Sequence, residues 1–111
     1  MLNQVVLVGR LVYDLQVNKN EKGKKICNIT LAIPRSFKNI DGTYDTDFIK
    51  CKAFDVIAEN TKEYCRKGDI VGVKGRLQSS VYEKDGEKKS SMDVICEKVT
   101  FLSSKKQEET E

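Results

Sequence analysis

Two phenylalanines and two lysines alternate in Asp47-Phe48-Ile49-Lys50-Cys51-Lys52-Ala53-Phe54. In an extended chain successive side chains point to opposite sides, so Phe48, Lys50, Lys52 and Phe54 share one face while Ile49, Cys51 and Ala53 form a small apolar stripe on the other. Two ammonium groups make a poor dry interior, because each buried unpaired charge costs several kcal/mol. Rings and cations together do suit a polyanion that carries flat bases. Lysines neutralise phosphates, and splayed bases stack on aromatic rings at roughly 1–3 kcal/mol each. The competing reading makes Phe48 and Phe54 core residues whose neighbouring lysines snorkel to the edge.

Chemistry of other kinds lacks its raw material. The chain has no histidine, its four cysteines (Cys27, Cys51, Cys65, Cys96) form no Cys-x-x-Cys pair, and no glycine-rich phosphate loop occurs. Neither a metal site, a cofactor site nor a catalytic centre is expected. The cysteines fall mostly among apolar strand residues and read as reduced core thiols of a cytoplasmic, nucleoid-associated protein. There is no basic leader and no apolar run of membrane-spanning length, so no membrane partner is expected.

The elements that must position the rings can be read in order. A chain of 111 residues is one domain with an independent core. Its 20 Lys+Arg against 17 Asp+Glu give a net +3, so affinity for a polyanion must come from where the charges sit. Leu2 to Val8 is almost continuously apolar and reads as a strand covered on both sides, one cover coming from a second copy. Arg10 follows, within reach of a phosphate. Leu11 to Lys25 reads as polar connection and turn. Ile26 to Ile33 alternates as a half-buried strand and is expected to stop at Pro34. Arg35-Ser36-Phe37-Lys38 repeats the pairing of ring and cation, Asp41-Gly42 makes a turn, and the chain returns through Thr46–Phe54 as a hairpin.

Asp55 to Lys67 is the single predicted helix, with Asp55 as N-cap, Val56, Ile57, Asn60, Thr61 and Tyr64 at near-helical spacing, and Gly68 as its stop. Asp69 to Glu83 is a long strand with Lys74, Arg76, Gln78, Ser80 and Tyr82 on one face, interrupted by Gly72 and Gly75 where a closed barrel needs bending or close approach. Tyr82 lies near the tip of an arm that turns at Lys84-Asp85-Gly86-Glu87. Ser91 to Leu102 is the last strand. Residues 1–103 form the predicted domain, and 104–111 a short, polar, disordered tail.

Five strands with a helix between the third and fourth fit an all-β, five-stranded Greek-key barrel of the oligonucleotide-binding (OB) type. Leu2-Asn3-Gln4-Val5-Val6-Leu7-Val8-Gly9-Arg10-Leu11, Asn28-Ile29-Thr30-Leu31-Ala32, Asp47-Phe48-Ile49-Lys50, Ala58-Glu59-Asn60, Tyr64-Cys65-Arg66-Lys67-Gly68 and Val73-Lys74-Gly75-Arg76-Leu77 occur in that order. Over residues 1 to about 102 the chain resembles the bacterial single-stranded DNA-binding protein family. The resemblance implies that barrel, a homotetramer built through the N-terminal strand, with a dimer as the smaller alternative, and sequence-independent binding of single-stranded DNA in replication, recombination and repair. It also implies base stacking at Phe37, Phe48, Phe54 and Tyr82, where several family members carry tryptophan at three positions. Arg10, Arg35, Lys50, Lys52, Lys74 and Arg76 are the expected phosphate contacts.

Family members commonly end in an acidic tip closed by Pro-Phe. This chain ends at Glu108-Glu109-Thr110-Glu111, without that apolar plug, so tail-mediated recruitment of replication proteins is not expected. A phage, plasmid or mobile-element version, a specialised bacterial paralogue and a truncated chain all fit that ending. The alternative function is an adaptor or primosome-type subunit that uses the same barrel mainly to bind protein.

Overall fold

Alternation between buried and exposed residues organises the computed structural model, which describes residues 1–103; the expected tail at 104–111 lies outside the described residues. Its elements are β1 (Val5–Leu11), β2 (Val17–Lys19), β3 (Lys25–Lys38), β4 (Tyr44–Phe54), α1 (Asp55–Tyr64), β5 (Ile70–Lys84) and β6 (Glu87–Ser103). Hydrogen bonding runs β1-β5-β6-β4-β3, and β3 returns to β1 at Arg10↔Ala32 and Leu11↔Leu31. Five strands thus close a barrel, and β2 is a short addition on β3. All pairings are antiparallel except β4 with β6, which meet at Cys51↔Val94 and Lys52↔Ile95. The expected OB-type barrel is therefore present, with one helix among the described residues.

Inward residues of the strands fill the core: Leu11, Cys27, Ile29, Leu31, Cys51, Ala53, Val71 and Val73 are essentially inaccessible to solvent. All four cysteines are free and buried. Closing so narrow a barrel brings backbones together at Gly75, in a register shift between β5 and β6, where a Cβ would lie 2.0 Å from the Ile95 carbonyl oxygen.

Several expectations need correction. The first strand begins at Val5 rather than Leu2; this chain covers only one of its faces, and the other is left for the cover expected from a second copy. Val6 and Val8 are 66% and 52% exposed. Asn3, ahead of it, holds the Leu77 backbone through both amide atoms, at 2.8 and 2.9 Å. The segment 11–25 is not simply polar connection, since Leu15 is buried and Val17–Lys19 pairs with β3.

Pro34 does not end β3. Beyond Ala32 the strand has left β1, so a proline is tolerated there, and pairing with β4 continues from Pro34↔Thr46 to Lys38↔Tyr44 across a bulge.

The helix is shorter than expected and differently capped. Phe54 occupies the N-cap position with no side-chain bond, while Asp55 has φ 52° and accepts the Lys25 backbone N–H at 3.3 Å. Thr61 and Ile57 lie against the core as expected and Ala58 joins them, whereas Val56 and Tyr64 are exposed. The chain leaves the helix at Cys65 because Asp69, a buried carboxylate, accepts the Arg66 N–H at 2.7 Å and fixes the turn before β5.

Candidate nucleic-acid interface

β4 builds the site. Its inward residues Ile49, Cys51 and Ala53 belong to or pack on the core, which forces Phe48, Lys50, Lys52 and Phe54 outward. Phe48 is 65% exposed, so it is not sealed in the barrel. On β3 its neighbours are short: Ala32 lies opposite Phe48, Thr30 opposite Lys50 and Asn28 opposite Lys52. Small side chains there leave the ring and the ammonium groups standing above a shallow floor. One row across the sheet reads Lys52–Ile95–Arg76, which sets the two cations two strands, or roughly 10 Å, apart. Asp93 moderates the charge at 3.6 Å from Lys52 Nζ, and Arg76 Nη1 donates to Gln78 Oε1 at 2.9 Å.

Phe54 is half-buried at the strand's end, and Lys24 Nζ lies 4.9 Å from its ring centroid. Phe37, at 80% exposure, sits within the β3 bulge on the hairpin arm. Tyr82 is half-exposed on the β5–β6 arm, opposite Lys89. The four rings are thus spread along the length of β4 and onto the two arms, with Phe54 at the α1 end, Phe48 mid-strand, and Phe37 and Tyr82 on the hairpins.

The six expected phosphate contacts separate. Lys50, Lys52 and Arg76 gather beside Phe48 and Phe54. Arg10 stands on the row of Phe48 through Ala32, but its Nη1 donates to the Gly68 carbonyl at 2.8 Å. Arg35 is engaged by acid: Nε and Nη2 donate to Asp47 Oδ1 at 3.1 and 2.9 Å, and Nη1 is 3.6 Å from Asp45 Oδ2. That hydrogen bond holds the Asp47 carboxyl below its ordinary range and raises the guanidinium. Lys74 lies between Val6 and Lys98 on the β1–β5–β6 surface, away from the rings.

Sequence reasoning missed Lys24 and the outermost turn of β4, where Tyr44 pairs with Lys38. Counting back from Phe48 two residues at a time reaches Tyr44, a signal hidden by starting the strand at Thr46.

A cleft elsewhere, between α1 and the loop after β1, is lined by Asp14, Lys25, Glu59, Lys62, Glu63 and Arg66. Its charges neutralise one another, as in the Lys25–Glu59 ion pair, and it offers no ring. Among the described residues no group of three His, Cys, Asp or Glu side chains could hold a metal ion, and no helix is long and apolar enough to cross a membrane.

The profile of the Single-strand binding protein family matches residues 2–102. The chain is 40% identical over 109 residues to Single-stranded DNA-binding protein B of Bacillus subtilis, covering 97% of this chain and 96% of that protein. It is 42% identical over 106 residues to Single-stranded DNA-binding protein 1 of Staphylococcus aureus, covering 95% of this chain but 64% of that longer one. A crystal structure of a deletion mutant of the single-stranded DNA binding protein from Thermus aquaticus superposes with a TM-score of 0.77 at 30% identity, over 94% of this chain and 52% of that one.

Proposed function

This chain belongs to the single-strand binding protein family, and from that premise we propose that it binds unpaired DNA without sequence preference along the outer face of β4. It is a binding protein and not an enzyme. The observation that carries the placement is the alternation of exposed rings and ammonium groups on one strand above a floor of small β3 residues. Every base offers a ring face, and every nucleotide a phosphate, so such a surface has no means of selecting sequence. Phe48, Phe54, Phe37 and Tyr82 stack bases. Lys50, Lys52 and Arg76 make the central phosphate contacts, Lys74 and Arg10 lie further out, and Arg35 joins when its acid partners release it. The role is protection of single strands in cytoplasmic DNA replication, recombination and repair.

Assembly is part of the same proposal. Val6 and Val8 form an exposed apolar stripe that continues past Gly72 to Leu102, a side chain 3.6 Å from where a Gly72 Cβ would lie. A homotetramer that covers this stripe accounts for two exposed valines on a central strand, and a dimer is the smaller assembly that would do so. Static light scattering of wild type and the Val6→Lys/Val8→Lys double variant tests it. A multimer reduced by the double variant is expected; a wild-type monomer sinks the assembly.

Binding itself is tested by titrating oligo-dT and duplex of equal length over a salt series. With about four phosphates neutralised per protomer, the log-log slope for the single strand is near −3. A flat response with no preference for the single strand would instead favour a protein-binding adaptor.

A further inference from the structure

The ring track on β4 does not end at Phe48. β4 is continuous from Tyr44 to Phe54, and alternation puts Tyr44 and Thr46 on the same side as Phe48, Lys50, Lys52 and Phe54. Thr46 faces Pro34 and Tyr44 faces Lys38 across the hairpin. Lys38 Nζ stands 5.9 Å from the Tyr44 ring centroid, which repeats at the hairpin end the ring-and-ammonium pairing seen at Phe54 with Lys24.

Tyr44 is also held firmly. The Asn39 N–H donates to the Thr43 carbonyl at 2.7 Å, and the Gly42 N–H to the Asn39 carbonyl at 2.9 Å. Asp41 Oδ1 accepts both the Thr43 N–H at 3.1 Å and the Thr43 hydroxyl at 2.7 Å. These bonds close the turn directly beneath the Lys38↔Tyr44 pair, so a half-exposed ring is presented on a built hairpin. The acidic neighbour, Asp45, points to the other face and is engaged by Arg35 and by Asn39 Nδ2 at 3.2 Å.

The geometry points to Tyr44 as a further base-stacking position, with the Lys38 ammonium taking the phosphate beside it, so that the bound strand continues about 13 Å beyond Phe48 toward the β3–β4 turn. The inference rests on the proposal that β4 carries DNA, and it adds a subsite to that path. A purely structural Tyr44 would shield the hairpin and leave affinity alone.

The test measures fluorescence anisotropy of labelled oligo-dT of increasing length, at one salt concentration, with wild type, Tyr44→Ala, Tyr44→Leu, Tyr44→Phe and Phe48→Ala. Thermal melting of each variant accompanies it. Tyr44→Leu keeps an apolar side chain on the hairpin while removing the aromatic face. Both Tyr44→Ala and Tyr44→Leu are expected to weaken long oligonucleotides by about fivefold or more, the lower bound for one stacked base, and Tyr44→Phe to bind as wild type. On the shortest oligonucleotide that still separates Phe48→Ala from wild type, Tyr44→Leu is expected to have no effect. Wild-type affinity of Tyr44→Leu at every length, with Phe48→Ala weakened, overturns the Tyr44 subsite and leaves the β4 path standing. Wild-type affinity of Phe48→Ala as well removes the path itself.

Discussion

The Arg35 guanidinium grips the Asp47 carboxylate, with Nη2 2.9 Å and Nε 3.1 Å from Oδ1, immediately before the exposed ring of Phe48 in the chain. A cation beside the proposed binding path is thereby held on an acid of the same protein. Asp47→Asn keeps the side chain's size, removes one negative charge and loosens Arg35. The variant is expected to bind oligo-dT a few-fold more tightly at low salt, with a salt slope steeper by roughly 0.7 for one added phosphate contact. An unchanged slope would show that Arg35 never reaches DNA.

Acid should loosen the same pair. Arg35 holds the Asp47 carboxyl below its ordinary range, chiefly by the side-chain hydrogen bond. A carboxylate depressed in the folded state adds stability that is fully present above its ordinary pKa of about 3.9 and is lost as pH falls through the lower folded value. The pair is therefore intact at neutral pH, and its protection of the hairpin is expected to disappear only in the acid range below about pH 4. Hydrogen exchange at the 35–47 backbone amides, compared between wild type and Asp47→Asn, checks this. The two should converge at low pH and differ at neutral pH.

At the other end of β4, Lys24 covers Phe54. Charge and ring contribute differently to binding, so the two substitutions separate. Lys24→Ala is expected to flatten the salt slope by roughly 0.7 while leaving affinity at high salt near wild type. Phe54→Ala is expected to lower affinity at every salt concentration with the slope unchanged. Their effects on folding differ from those at Phe48. Phe54 is half-buried at the start of α1, so its loss should lower the melting temperature, whereas Phe48→Ala should melt close to wild type.

The alternation in 47–54 and 26–33 was enough to read the faces of β3 and β4, because a period of two leaves each residue one place to go. Closure of the barrel followed from the element order. The missing parts were those set by long-range contacts. Pro34 is tolerated because β3 has parted from β1, a fact no local window contains. Asp55 cannot cap α1 because its carboxylate is turned to Lys25, thirty residues away. Arg35 looked like a free cation beside Phe37, and only the register that brings it against Asp45 and Asp47 shows otherwise. Ser79 and Val81 continue the alternation of core residues, yet they lie on the arm past the last β4–β6 pair, Cys51↔Val94, and both are exposed.

The core thiols are expected to be inert. Burial pushes the Cys27 and Cys65 thiols up, and a hydrogen bond with Cys51 together with burial raises Cys96. A thiolate is the reactive form, so none of these three should alkylate while the barrel is folded, and Cys51, which the same hydrogen bond lowers, is sealed in the core at 1% exposure. Mass spectrometry after maleimide treatment at pH 8 should find native protein unmodified and denaturant-unfolded protein labelled at all four positions. Rapid labelling of Cys96 in native protein would mean that the β4–β6 seam opens.

Gly72 and Gly75 look alike in sequence and are expected to behave in opposite ways. At Gly72 an added methyl finds Leu102 Cδ1 at 3.6 Å and the Leu7 carbonyl at 3.9 Å, ordinary contact distances. Gly72→Ala should therefore stay within about 1 kcal/mol of wild type in urea unfolding. At Gly75 the methyl would meet the Ile95 carbonyl oxygen at 2.0 Å and its carbon at 2.9 Å, both backbone atoms of a paired strand. No rotamer relieves that clash. The β5–β6 seam must separate, and Gly75→Ala is expected to cost about 3 kcal/mol or more, the range of severe overpacking. Function should follow, because Ile95 is the middle residue of the Lys52–Ile95–Arg76 row. A shift of its backbone moves Arg76 away from Lys52, so any folded Gly75→Ala protein should also bind oligo-dT more weakly and with a flatter salt slope. Equal stability of the two alanine variants would show that the bulge at Gly75 has room the close approach denies.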